Sequence, residues 1–229
     1  MSSLDYIRNT IKEDAKAFSE ICDFNDNVVS HIHDDYLAEL DCEKTIMLPL
    51  AKNPRTRRAI SAYVSKRLNL GKWYGDFSEQ RYGLCLLTRD DIYFLVNYIG
   101  AAIYADEVKK IVVHDELKQL KDQIGPAYNF SIRSADLLFK KSQIDSLALP
   151  AFSGSIYDKI VKAGKFVISA CLTMVPEDLG RKFVLKFPKT EVWDFSKEDS
   201  LADECWRFTK KILNYLPGDK IRVPILMKG

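Results

Sequence analysis

The residues whose types could do chemistry in this 229-residue chain are three histidines, five cysteines and a few acidic pairs. His31 and His33 lie beside Asp34, Asp35 and Cys42, all of which are metal-ligand types. On a helix, however, positions i and i+2 point to different faces, and no second ligand pair lies nearby. His114 precedes Asp115 and Glu116 and reads as a residue at a helix junction. Nucleophilic catalysis needs a Ser or Cys, a His base and an orienting carboxylate. No G-x-S-x-G or comparable arrangement accompanies any of the histidines. Gly71 and Gly75 flank Trp73 and Tyr74 but match no phosphate-binding fingerprint. Asp34-Asp35 and Asp90-Asp91 fall where helices start, where the helix macrodipole already favours acids. Cys22, Cys42, Cys85, Cys171 and Cys205 form no C-x-x-C pair and sit in apolar helical patterns, as reduced, buried small hydrophobes do. The expectation is no catalytic residue, no metal and no cofactor.

Charge carries more information. Net charge is only +2, but residues 1–45 hold 11 acids against 4 bases. Between Ala51 and Gly75 stand seven bases (Lys52, Arg55, Arg57, Arg58, Lys66, Arg67 and Lys72) and no acid. Opposite-sign segments in one chain suggest docking, either of one segment on the other or of partners on each. The basic block could also contact phosphates, so a helical nucleic-acid-binding regulator using residues 52–72 is the alternative reading. A nucleic-acid binder usually carries more positive charge than this chain does. Trp73, Tyr74 and Trp193 fall in expected loops, where an aromatic either anchors the domain's own core or forms a hot spot for a partner.

The elements around these residues read as helices. Ten glycines and eight prolines are few for this length, which argues for helices with short connections. Leu4, Ile7, Ile11, Ala15, Phe18 and Ile21 recur at helical spacing. The run Asp23–Asn27 is expected to break that helix, and Pro49 to mark a loop. Asn53-Pro54 is a helix start, with Ala59, Ile60, Tyr63, Val64 and Leu68 as its buried stripe. Ile92 to Ala105 is the longest apolar run, about 14 residues, shorter than the roughly 20 that span a bilayer. Gly100 and Gly125 are expected to end helices, Gly125 in a left-handed C-cap. Pro126 then opens a helix reaching about Lys141, and Tyr128 and Phe130 belong to the core. Residues 142–155 mark a boundary between helical halves. The N-terminus lacks the uncharged stretch of a secretory leader. The fold class is therefore all-α: a compact multi-helix domain with short loops, two helical halves, and an extended apolar tail after Gly218. Residues 1–50 form an acidic helical segment, 51–142 a central region, and 143–229 a C-terminal region packed with the central one.

The order of features in the middle of the chain resembles the SctK family (YscK, MxiK or OrgA) of the bacterial type III secretion injectisome. The residues that carry the resemblance are Arg57-Arg58, Arg81-x-x-Leu84-x-Leu86-Leu87, Leu95 with Gly100, and Ile111, Leu117 and Leu120. Gly125-x-x-Tyr128-x-Phe130 follows, with Arg133 and Ala135, and later Arg181-x-x-x-Leu185-Lys186-Phe187-Pro188. The likeness covers about residues 55–188, and its motifs are helix-packing patterns. It implies a non-enzymatic adaptor without cofactor in the cytosolic sorting platform, at the cytoplasmic face of the inner membrane and not inserted in it. Such an adaptor links the ring protein SctD to the pod protein SctQ, and through that to the stator SctL and the ATPase SctN. Arg55, Arg57, Arg58, Trp73, Tyr74 and Trp193 are the candidate partner-binding residues; Gly100, Gly125, Tyr128 and Phe130 are structural.

Overall fold

Asn53 begins a helix for the physical reason its sequence gives. Its Oδ1 accepts the Arg55 N–H at 3.0 Å, and Pro54 fills the first helical position, where no donor is needed. The same logic recurs at Ser155, whose hydroxyl accepts the Asp158 N–H while Asp158 reaches back to the Ser155 N–H.

The computed structural model describes residues 7, 10, 12, 14–40, 44–71, 73–196 and 198–216. The extended tail expected after Gly218 lies outside the described residues, as does Cys42. The helices are α1 (Ala15–Asp26), α2 (Val28–His31), α3 (Asp34–Leu37), α4 (Lys44–Lys52) and α5 (Pro54–Arg67). A 3-10 segment, Gln80–Leu86, leads to α6 (Arg89–Ile103), α7 (Ala105–Lys109), α8 (His114–Ile124) and α9 (Pro126–Arg133). Then come α10 (Ala135–Leu138), α11 (Lys141–Asp145), α12 (Ile156–Cys171), α13 (Glu177–Val184) and α14 (Asp199–Tyr215). The fold is all-α, with no strand among the described residues. No helix there is long and apolar enough to cross a membrane.

Two units form. Of the described residues, the first combines those up to 89 with 175–192, and the second combines 90–174 with those of 193–216. Residues 142–155 fall inside the second unit. In the first unit, Val28, Val29, Ile32, Leu37, Met47, Val64 and Leu185 share one apolar cluster. The 3-10 segment packs against α13 there, with Leu84 and Leu87 buried.

In the second unit, α12 packs on α14, and α6 meets α12 through two glycines. A Cβ on Gly100 would lie 2.0 Å from the Ile160 carbonyl oxygen, and one on Gly164 would lie 2.1 Å from that of Val96. The helices can approach this closely only because neither position carries a side chain. Phe130 sits between Tyr98 and Tyr215, with ring centroids at 5.1 and 4.9 Å. Tyr128 and Phe130 are buried, as expected.

Several boundaries differ from the sequence reading. The α6 helix does not end at Gly100 but runs through it, because that glycine serves the crossing with α12. The α1 helix continues through Asp23 to Asp26, because Asn25 turns its amide inward instead of solvating a turn. Pro49 lies inside α4, which gives up one intrahelical bond and packs against α5 with Met47 and Ala51 buried. The helix opened by Pro126 stops at Arg133, with Ser134 at φ −125°. Gly125 has the expected positive φ, but at φ 55°, ψ −130° it lies outside the left-handed helical region, in backbone space open almost only to glycine.

The Gly100→Ala substitution drives a methyl into the Ile160 carbonyl and should cost about 1–3 kcal/mol or more; a urea-denaturation shift under about 0.5 kcal/mol would contradict the close crossing. A second prediction concerns pH. Burial raises the Glu20 carboxyl from 4.5 to about 7, although the Lys16 ammonium at 3.7 Å pulls it down. The folded chain therefore holds a proton that the unfolded chain releases near 4.5, so this contribution is full below 4.5 and is lost as pH rises through about 7. Glu20→Gln should flatten that part of the Tm-versus-pH curve; parallel curves for the two proteins would reject it.

Candidate functional site

The most unusual chemistry of the first unit is two buried lysines. Lys182 and Lys186 stand four apart across the end of α13 and are 7% and 2% exposed. Their Nζ atoms lie 5.6 and 5.1 Å from the centroid of the Phe24 ring, which therefore faces two cations. The Lys186 ammonium donates to the carbonyls of Cys85 and Leu87, each at 2.5 Å, at the end of the 3-10 segment. Lys182 donates to Asn25 Oδ1 at 2.8 Å. Its pKa falls below the ordinary lysine value because burial disfavours the ammonium, with Asp178 opposing. Burial pushes the Cys85 thiol up to about 12, despite nearby Lys186. This cysteine is no nucleophile at neutral pH.

Asn25 joins the parts. Its amide nitrogen donates to the carbonyls of Ile21 (2.8 Å) and Tyr74 (2.7 Å), and its oxygen accepts from the Tyr74 N–H (2.9 Å) and Lys182. All four hydrogen-bonding positions of the side chain are used. The Tyr74 backbone is thereby fixed, and the loop next to it carries Trp73.

Beside this cluster lies a cleft of about 560 Å³, lined along α5 by Arg58, Ser61, Ala62, Ser65 and Lys66. Asn25, Asp26, Lys182 and the loop residues Asn69, Gly71 and Trp73 complete it. Gly71 has φ +70°, and a Cβ there would meet the Asp178 carboxylate at 2.1 Å, so the turn needs a glycine. Arg58 Nη2 pairs with Asp26 Oδ2 at 3.0 Å, and Arg57 Nη1 lies 3.9 Å from Asp23 Oδ1. Arg57 Nε also donates to the Ala51 carbonyl at 3.3 Å. Part of the acidic segment thus docks on the basic one within the chain.

Of the sequence candidates, the fold brings Arg58 and Trp73 into one cleft. Arg55 is exposed at the start of α5, and Tyr74 is half-buried with its ring edge-on to Phe77 at 5.5 Å. Trp193 corrects the hot-spot expectation. It is only 7% exposed, belongs to the second unit, and has Lys165 Nζ 5.7 Å from its ring. It is buried within the chain and presents no exposed face. His31 Nε2 sits 3.0 Å from Asp23 Oδ2, and His33 Nδ1 accepts the Asp35 N–H at 3.2 Å as the cap of α3. Both histidines thus have structural partners. Cys85, Cys171 and Cys205 are buried as expected, whereas Cys22 is half-buried. Sequence reasoning placed Asn25 in a helix break and Lys186 in a packing motif, passed over Lys182, and missed the cluster that the three form. The available signal was the spacing Leu179, Lys182, Phe183, Lys186, which inserts two lysines into an apolar helical stripe.

A protein-family model described as "YOP proteins translocation protein K (YscK)" matches residues 22–214, well over half the chain. No curated protein and no solved structure matches it.

Asn25→Ala leaves the Tyr74 N–H and carbonyl and the Lys182 ammonium without their buried partner. It should cost about 3 kcal/mol or more, read by chemical denaturation. A loss below about 1 kcal/mol would show that the amide is not the hub described.

Proposed function

The chain belongs to the YscK family, the SctK family of type III secretion proteins, and on that premise we propose that it is a non-enzymatic adaptor of the secretion sorting platform. It links the cytoplasmic domain of the inner-membrane ring protein (SctD-like) to the pod protein (SctQ-like), and through the pod to the SctL stator and SctN ATPase. Its place is the cytoplasmic face of the inner membrane. The observation that carries this reading is family membership together with an exposed cleft that joins Arg58 to Trp73 in the first unit. An adaptor works by presenting surfaces, and arginine and tryptophan are the side chains most often found at the centres of protein interfaces. The segregated charges support it further, since opposite-sign faces let two partners be told apart. Arg55, Arg57, Arg58, Trp73 and Tyr74 are the residues assigned to partner contact.

Co-purification tests the reading. The tagged chain should bring down the pod protein and the ring protein's cytoplasmic domain when these are co-expressed; failure with both partners folded would refute the linkage. Arg55→Glu, on an exposed position at the start of α5, should weaken one of the two associations while far-ultraviolet circular dichroism stays unchanged. Full retention of both would remove Arg55 from the interface.

A further inference from the structure

We infer that the cleft between α5 and the Trp73 loop receives an acidic segment of a partner protein, which takes over Arg58 from its internal partner Asp26. This rests on the adaptor reading and names the chemistry of one of its surfaces. The lining holds three cations, Arg58, Lys66 and Lys182, against one carboxylate, Asp26. The cations on α5 lie two turns apart, and the residues between them, Ser61, Ala62 and Ser65, are small. An extended chain can therefore approach the helix surface closely between two positive ends. Trp73 stands on the same cleft at 44% exposure, whereas Trp193 and Trp206 are 7% and 8% exposed. Trp73 thus offers the cleft a large apolar face.

The existing ion pair is exchangeable. The Arg58 side chain is 82% exposed and Asp26 24%, and a pair this wet contributes only about 0–1 kcal/mol. A carboxylate arriving with additional contacts to Trp73 and Lys66 can displace Asp26 at little cost. A protein segment fits better than a nucleic acid. Arg57, which would continue the positive stripe, is turned to Asp23 and the Ala51 carbonyl.

This account makes an unusual sign prediction: removing the internal acid should strengthen binding. The test uses the full chain, a labelled, end-capped peptide of Glu and Asp with one central Phe, its Gln/Asn counterpart, and a single-stranded oligonucleotide. Peptide binding is read by anisotropy, and exposure of Trp73 by acrylamide quenching. The acidic peptide should bind and shield Trp73, and the neutral one should not. Arg58→Glu and Lys66→Glu, both at exposed positions, should each weaken binding about tenfold, and Asp26→Asn should tighten it roughly two- to fivefold. The inference is overturned if Asp26→Asn weakens binding or leaves it unchanged, if Trp73→Ala has no effect, or if the oligonucleotide shields Trp73 better than the peptide. Melting curves of the variants exclude unfolding as the cause. The same variants in the co-purification separate the two claims. Double reversal at Arg58 and Lys66 that abolishes peptide binding but spares both partners rejects the cleft and leaves the adaptor standing. Peptide binding that behaves as described, with neither partner retained by the unaltered chain, upholds the cleft and rejects the adaptor.

Discussion

An ammonium group taken out of water needs something in place of its hydration shell, and the first unit supplies two such groups from one place. Phe24 offers its ring to Lys182 and Lys186, the adjacent Asn25 offers an amide oxygen to Lys182, and the 3-10 segment offers two carbonyls to Lys186. Segments far apart in sequence (α1, the loop at Tyr74, the 3-10 segment and α13) are held to one geometry by this requirement. Removing one partner from such a buried set costs roughly 3–5 kcal/mol, whereas a well-packed apolar replacement can be neutral. The lysines therefore specify an arrangement more than they add net stability. What they specify includes the position of the loop that carries Trp73.

The charge segregation has two outlets. Asp23 and Asp26 at the end of α1 meet Arg57 and Arg58 at the start of α5, so some of the opposite charge is spent within the unit. These contacts are solvent-exposed and weak. They orient the side chains without locking them. The Ser61 hydroxyl shows the contrasting case nearby. It donates to the Asp26 carbonyl at 2.8 Å and accepts the Val28 N–H at 3.2 Å, fixing the backbone between α1 and α2. The backbone is held by buried hydrogen bonds, while the exposed charges remain exchangeable.

The second unit is organised by a different device. Gly100 and Gly164 allow α6 and α12 to meet with backbone against backbone. Aromatic pairs such as Phe139 with Phe208, stacked at 4.0 Å, fill the space around other helices. Close packing of this kind transmits strain and tolerates little change of volume.

Beyond the resemblance that points to the family, the sequence by itself determined the helical class, the start at Asn53 and the burial of Tyr128 and Phe130. These follow from local rules: spacing of apolar residues, side chains that cap their own helix, and positions where only glycine is unstrained. The site was legible only in part. Arg58 and Trp73 could be picked out by type, but their meeting in one cleft depends on where α5 and the loop are held. Trp193 had the same sequence character as Trp73 and turned out buried. The lysine–phenylalanine–asparagine cluster, and the use of Gly100 as a crossing point and not a stop, were decided by tertiary structure alone. The reason is that burial is a property of what packs against a residue. Asn25 reads as a helix breaker until Tyr74 and Lys182 satisfy its amide, and a lysine reads as solvent-facing until distant segments supply the oxygens and the ring that replace water.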